Sequence, residues 1–497
     1  MRAWLNRPRP EVPAVRVSRR QGLQLGLVLA LSAALSTTHS FLRYATYEAK
    51  GYDLGIFDQV VRQYALLNAP LSSVKGVDFH ILGDHFHPIL ALLAPAYWIW
   101  PDPRMLGIIM AAALCLAAVP VYLFARRRVE HGWALTAAAA LLLSWPFQAM
   151  VNWDFHEVTL GVPILAWLVW AIDGRRPWLA LGLGVLLLTV REDMGITLCA
   201  VGLVFALRRH WVQAGLAVVL GLAGYWFATS VVIPHYSPTG GFGYWQFQAL
   251  GPDMGSSLLT ILTRPWEAVA ALVDHPLKLA LWLLHLVPLL LLPVLSPLTL
   301  MALPILLSRL WNDRLNVWAP VYQYDAILAP VLLMAALEAA VRLADRLPAL
   351  RRLPQVLVAW ALAVAVVGTA FFPQVFPYHR TLTGDMTVTQ HARDLAHAVS
   401  LVPDDVCVEA ADNAVPHLTA RTHVGLHGDI GDELSTWMIV DTSVEELGGW
   451  DPLTPAQALE RADRLGFDVV WAERDVVVLR HPTRGVSPVC STYLEHR

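Results

Sequence analysis

Long apolar runs alternate with short polar breaks along most of this chain. The runs predict helices over 21–40, 104–125, 132–150, 158–172, 177–190, 194–207, 211–233, 276–294, 297–311, 326–343 and 355–372. A helix needs about 20 apolar residues to cross a bilayer, so the shorter runs at 158–172 and 177–190 predict tilted or partly buried helices. Together the runs predict an all-α polytopic membrane domain, residues 21–372, with about eleven transmembrane helices. No internal repeat is legible.

The run Ile89–Trp100 is short and bounded by prolines. If it crossed, the clusters Arg126-Arg127-Arg128, Arg175-Arg176, Arg208-Arg209 and Arg342–Arg352 would all lie outside, against the excess of basic residues in cytoplasmic loops. An interfacial or re-entrant Ile89–Trp100, with Trp98 and Trp100 at headgroup level, brings every cluster inside. Arg16, Arg19 and Arg20 precede the first apolar run, so the tail 1–20 is expected in the cytoplasm. The first run is read as an uncleaved span, because Ser-Thr-Thr-His-Ser after it lacks a small-x-small cleavage site.

Two stretches break the apolar pattern. Within the first external loop, 41–103, the segment Gly51–Pro88 crowds acids, histidines and aromatics. Its apolar positions Leu54, Phe57, Val61, Tyr64 and Leu67 follow one helical stripe, predicting an amphipathic helix lying on the membrane surface. From about Pro373 to Arg497 the composition becomes that of a soluble protein. Strands over Val399–Val408, Asp468–Ala472 and Val476–Arg480 and helices over Thr389–Ser400 and Pro455–Leu465 predict a small extracytoplasmic α/β domain at 373–497.

Composition sharpens this picture. Of 497 residues 56% are hydrophobic, and the mean hydropathy is +0.50, which marks a plasma-membrane, multi-pass chain in contact with lipid. The net charge of −3 and the scattered basic clusters exclude a nucleic-acid surface. Cys115 and Cys199 fall in apolar runs, so only Cys407 and Cys490 are placed to form a disulfide.

With this topology the polar loops collect on the external side. They carry Asp78, His80, Asp84, His85 and His87; Trp153, Asp154, His156 and Glu157; Arg191, Glu192 and Asp193; Tyr236, Tyr244 and Trp245; Arg309, Asn312, Asp313 and Arg314; and Tyr322 and Tyr324. Ionisable groups at span ends require water, a partner or a ligand. Each also has a structural reading. Arg191-Glu192-Asp193 would be a self-satisfied cluster, Asp58 an ion pair with Arg62 four residues on, and Asp53 a helix N-cap. Asp84, His85, His87 and His156 are either metal ligands, with Mg²⁺ or Mn²⁺ expected for a phosphate-bearing substrate, or simply hydrogen-bonded polar residues. Lys50, Lys75 and Lys278 would contact a substrate phosphate or lipid headgroups.

The segments YDLGIFDQ, GDHFHP, WDFHE and RED, in this order, resemble a bacterial and archaeal family of predicted membrane proteins of unknown function. That family is similar in architecture to the GT-C superfamily of glycosyltransferases, which use polyprenyl-phosphate-linked sugars. The resemblance implies inverting transfer to an extracytoplasmic acceptor, with Asp53 as general base and Asp58 and Asp154 as further catalytic acids. Lys50, Lys75, Trp153, Glu157, Arg191, Glu192, Asp193, Arg309, Arg314, Tyr322 and Tyr324 would line the substrate site. GT-C enzymes often carry an adjacent acidic pair, whereas Asp53 and Asp58 are five apart. On a continuous helix that is a rotation of about 140°, which keeps them off a common face. A sugar-lipid transporter and a non-catalytic envelope assembly protein are the alternative readings.

Overall fold

A computed structural model describes residues 16–495; residues 1–15 of the expected cytoplasmic tail lie outside the described residues. The molecule is mostly helical, with a five-stranded sheet near its C-terminus. Helices form over every predicted run. Among the described residues, five are long and apolar enough to cross a membrane: Arg19–Ala45, Arg104–Arg126, His131–Asn152, Trp211–Tyr236 and Pro348–Phe371. Val158–Asp173, Pro177–Leu187 and Met194–Leu207 are shorter apolar helices. The runs at 276–294 and 297–311 break into short helical pieces at Pro288, Pro293, Pro297 and Pro304, as the missing proline N–H requires. Helix length alone therefore does not carry a count of eleven crossings. Ala329–Arg346 is buried without interruption from Ala329 to Ala340, so it is enclosed by protein.

The bundle has two chemically distinct ends. At one, Arg127 and Arg128 pair with Asp173, and Arg208 and Arg342 pair with Glu338. The other ends of the same helices carry Arg104, Glu157 and Asp193. The 23 residues of Arg104–Arg126 span about 34 Å at a rise of 1.5 Å per residue, enough for the hydrocarbon core of a bilayer. Pro88–Leu93 and Ala94–Ile99 form two short helical pieces that bury Ile89, Leu90 and Tyr97 and expose Leu92, Trp98 and Ile99. This one-sided apolar exposure suits an interfacial segment.

The amphipathic helix forms over Ile56–Ala65, but it does not lie on a membrane surface. Every residue in it except Tyr64 is buried. Its apolar stripe packs against the bundle, with Phe57 edge-on to Phe155 and His156. Its polar face meets the C-terminal domain: Gln59 donates to the Val424 carbonyl and Gln63 to the Tyr493 carbonyl, both at 2.9 Å. A stripe predicts which side is apolar, not whether the polar side meets water or another layer of protein.

The sheet comprises β1 (Cys407–Ala410), β2 (His423–Gly425), β3 (Trp437–Asp441), β4 (Asp468–Glu473) and β5 (Val476–Arg480), in the order β2-β1-β3-β5-β4. β1 pairs parallel to β2 and β3, whereas β5 is antiparallel to β3 and β4. Helices Gln390–Leu401 and Pro455–Arg464 match the sequence expectation. The strand expected over Val399–Val408 does not: the helix runs on to Leu401, and β1 begins only at Cys407. β2 and β3 are short and wholly buried, so they lack the alternation that marks a half-exposed strand.

Cys407 and Cys490 are joined as a disulfide that ties the C-terminal tail to β1. The tail then lies on the first loop, where the Glu495 carbonyl accepts from Asn68 at 2.9 Å. Cys115 and Cys199 are free. Maleimide labelling under denaturing conditions should therefore find two thiols before reduction and four after. A Cys490→Ser chain should lose about 2–4 kcal/mol of stability, the range for removal of a disulfide, and show three thiols unreduced. Four thiols in the unreduced wild-type chain would contradict the bond.

Candidate functional site

Asp53 stands where the chain leaves helical geometry, with Tyr52 at φ −79°, ψ 54° and Asp53 at φ 178°, ψ −77°. It is not a helix N-cap; Gly55 holds that position. The break also removes the fixed rotation between Asp53 and Asp58 that a continuous helix would impose. The Asp53 carboxylate is oriented by two donors: His156 Nε2 lies 2.8 Å from Oδ1, and Trp153 Nε1 donates to Oδ2 at 2.7 Å. Its side chain keeps 20% exposure. A carboxylate has about four lone-pair positions, so room remains for a substrate hydroxyl.

The partners of Asp53 come from one tight turn. Asp154 adopts φ +76°, a left-handed conformation that Asp tolerates better than most residues. The turn lies between Trp153 and His156, both of which bond the same carboxylate. Burial pushes the His156 imidazole down, but the adjacent Asp53 carboxylate outweighs it and raises its pKa. Tyr322 packs edge-on to Trp153 at 4.2 Å, and Tyr324 stands beside it. Burial and then the Asp53 carboxylate push the Tyr324 hydroxyl up.

A second layer closes round this centre. Arg191 forms a fork with Asp193, at 2.8 and 2.6 Å, and lies 3.7 Å from Glu157. His85 Nδ1 lies 2.8 Å from Glu192, whose other oxygen accepts from the Phe86 N–H at 3.0 Å. Asp84 pairs with Lys75 at 3.2 Å and accepts from Tyr244, whose ring stacks on His85. Lys75 donates to the Tyr52 hydroxyl at 2.7 Å. The loops expected to converge do so; Arg191 and Asp193 satisfy each other as the structural reading of that cluster has it, whereas Glu192 pairs outside it, with His85.

Several expected residues serve the fold instead. Asp58 is fully buried, bonded to Arg62 at 3.0 Å and to the Tyr97 hydroxyl at 2.7 Å, so it is unavailable to a substrate. Asp154 is also buried, and its carboxylate is held by Arg43 at 3.1 Å. Arg309 is committed to buried Asp325, which His285 also bonds. Lys278 donates to the Ala271 carbonyl, and Trp245 to that of Gly251. Gly55, which is not one of the expected site residues, also serves packing, since a Cβ there would lie 3.0 Å from Val415.

Three contributors were missed. Arg43, in the last turn of the first helix, neutralises Asp154; its place at a span end before acidic loops was the available signal. Asp412 accepts from the N–H groups of Gly51 and Tyr52, both at 2.7 Å, and so holds the Asp53 loop from the C-terminal domain. Burial and the nearby Asp53 raise its carboxyl to about 6. Trp450 lies over Arg314, at 5.4 Å from the ring centre. Nothing local in the sequence marks either of these last two.

The proposed metal set does not fit a divalent ion as packed. Asp84 is neutralised by Lys75, His85 by Glu192, and His156 is bonded to Asp53. His87 is buried, and its Nδ1 lacks a hydrogen-bond partner among the described residues, but one imidazole makes no site. Elsewhere Cys407, His423 and Cys490 gather, but the two sulfurs are bonded to each other.

The His85–Glu192 pair gives a pH signature. Burial alone would lower His85, but Glu192 raises it from 6.5 to about 9; burial alone would raise Glu192, but His85 lowers it from 4.5 to about 2. The histidine's contribution to stability is complete below pH 6.5 and is lost as pH rises through about 9. The thermal midpoint of the wild-type chain in detergent should fall over that interval, and His85→Gln should flatten the fall. An equal fall in both chains would contradict the pairing.

A search of the curated proteins finds no match. The family model described as "Predicted membrane protein (DUF2079)" matches residues 43–434, from Arg43 through the loops of Asp53, Asp154, Arg191 and Arg314 and on past β2 but short of Trp450, and the chain belongs to that family of predicted membrane proteins.

Proposed function

We propose that this chain is an integral-membrane glycosyltransferase of GT-C type, which moves a sugar from a polyprenyl-phosphate donor to an extracytoplasmic acceptor. The observation that carries the reading is Asp53: a partly exposed carboxylate aimed by two donors, amid charges that are otherwise almost all paired. An ionised base must be within hydrogen-bond reach of the proton it takes, and Asp53 retains lone pairs for that contact.

In the transfer, the acceptor oxygen attacks the anomeric carbon and its proton passes to Asp53. The bond from that carbon to the phosphate oxygen breaks, and the phosphate leaves with the electron pair, inverting the centre. His156 and Trp153 hold the carboxylate in place, and the raised pKa of His156 favours the imidazolium beside it. Charge developing on the leaving phosphate calls for fixed cations. No step uses a metal, because Asp84, His85 and His156 are already paired and His87 alone makes no site.

The proposed setting is the plasma membrane, with an N-terminal cytoplasmic tail and about eleven crossings, the shorter helices being tilted or enclosed by protein. Two observations support an extracytoplasmic C-terminal domain. The basic clusters gather at the bundle end away from it, and its disulfide suits an oxidising compartment.

In vesicles reconstituted with a polyprenyl-phosphate sugar, Asp53→Asn should lower turnover at least about a hundredfold, as loss of a general base does, while the chain remains folded. Asp58→Asn should do the opposite: it leaves Arg62 buried without its charge partner, costs about 3 kcal/mol of stability, and reduces activity only through folding. Wild-type turnover by Asp53→Asn would remove the central residue of this reading and favour a non-catalytic assembly protein.

A further inference from the structure

The cations at this end of the molecule are unequal. Lys75 is paired with Asp84, Arg191 with Asp193, Arg309 with Asp325 and Arg43 with Asp154. Lys50, 39% exposed, lies 3.9 Å from Asp412. Arg314 differs: among the described residues no carboxylate lies within 4.0 Å of it, and its Nε has no hydrogen-bond partner. Its guanidinium instead rests over two aromatic faces, Trp450 at 5.4 Å and Tyr244 at 5.8 Å. A half-buried guanidinium held by aromatic rings, with its donors unspent, is prepared for a bidentate anion such as a phosphate.

Trp450 supplies the second element. It belongs to the C-terminal domain, yet it is 62% exposed while touching Arg314 and Tyr244 of the membrane domain. It follows Gly448 and Gly449, at φ +95° and +104°, conformations in which a side chain would be strained. Gly448 also packs so closely on Asp412 that a Cβ would lie 2.4 Å from the Asp412 Cβ. Asp412 in turn accepts from the Tyr52 N–H, beside Asp53, and its own amide donates to the Leu447 carbonyl at 3.0 Å. The contacts close into a ring: Asp53 and Tyr52, Lys75, Asp84, Tyr244, Arg314 and Trp450, then along the chain to Gly448, which packs on Asp412, and back to Tyr52. Two glycines and one acid thus fix the indole next to a free guanidinium, on the same frame that fixes Asp53.

From this juxtaposition we infer that Arg314 and Trp450 form a subsite for a sugar ring carrying a phosphate ester, with Arg314 pairing the phosphate and the exposed indole face stacking on the ring. The inference rests on the glycosyltransferase reading for its role, but not for its chemistry. It makes the C-terminal domain part of the substrate site. Trp450 and Arg314 contact substrate, while Asp412 is a positioning residue that aligns their loop with that of Asp53.

The test uses the full chain in phosphatidylcholine nanodiscs, titrated calorimetrically with glucose 1-phosphate, galactose 1-phosphate and mannose 1-phosphate. At least one should bind, and Arg314→Gln and Trp450→Ala should each weaken it about tenfold or more, which is about 1.4 kcal/mol. Trp450→Phe should recover most of the affinity, since a flat ring remains. The thermal midpoints of the Arg314 and Trp450 variants should agree with that of the wild type, because Trp450 is exposed and Arg314 has no ion pair to lose. Phosphatidylglycerol in the nanodisc should compete only weakly, because its headgroup offers a phosphate without a ring. Failure of all three sugar phosphates to bind overturns the inference. So does binding that depends on Arg314 but not on Trp450, which would mark a lipid-headgroup site. Binding that needs both residues, without transfer from any polyprenyl-phosphate donor, would leave the subsite standing and sink the transferase reading instead.

Discussion

The burial of the helix Ile56–Ala65 on both faces is the constraint on which the rest of the structure depends. Its apolar stripe is committed to the bundle through Phe57, and its polar stripe to the C-terminal domain through Gln59 and Gln63. A helix with Asp58, Gln59, Arg62 and Gln63 all buried is stable only if every one of those groups finds a partner. Each side chain finds one, in Tyr97, Ser73, Pro101 and the tail after the disulfide, and only the Arg62 Nε is left without a partner among the described residues. The C-terminal domain is therefore not an appendage on a membrane bundle. Without it the helix has no lid, and the loop that presents Asp53 has no anchor at Gly51 and Tyr52.

The same logic sorts the charges. Buried ion pairs contribute little net stability but cost several kcal/mol when one partner is lost. Arg43 with Asp154, Arg62 with Asp58 and Arg309 with Asp325 are such pairs, and they hold loops and helices in register. What they leave uncommitted is informative. Asp53 is oriented by neighbours that spare part of its carboxylate, and Arg314 is held by rings, not by an acid. A density of ionisable residues suggests a site, but satisfaction decides which members are free to act. By that measure most of the acid- and His-rich loops are scaffold.

Much of this was legible along the chain. The apolar runs gave the helices, because the bilayer and the bundle interior demand the same residues. The convergence of 51–88, 152–157 and 191–193 followed from charge asymmetry, since basic clusters at alternate breaks assign the remaining loops to one side. Cys407 and Cys490 were the only pair outside the apolar runs. Partnerships across loops were not legible. The pair of Asp58 with Arg62 could be read from its i,i+4 spacing, but Asp154 looks as catalytic as Asp53 in a string of letters, and only Arg43, from another element, removes it from contention. The helix 56–65 was assigned to a membrane surface because one period describes both a lipid-facing and a doubly packed helix.

By itself, then, the sequence determined a helical membrane chain with a small α/β domain and one polar face, because hydrophobic periodicity and charge placement act locally and survive in one dimension. Tertiary structure alone decided the partly exposed carboxylate of Asp53, the guanidinium of Arg314 held by rings and the lid over the first loop. Those depend on Asp412, Val415, Trp450 and Tyr493, which lie about 360 to 430 positions beyond the residues they meet, except Trp450, which stands 136 beyond Arg314. Hydrogen bonds and desolvation act over a few ångströms in space, and no spacing in the chain records which distant residue will arrive there.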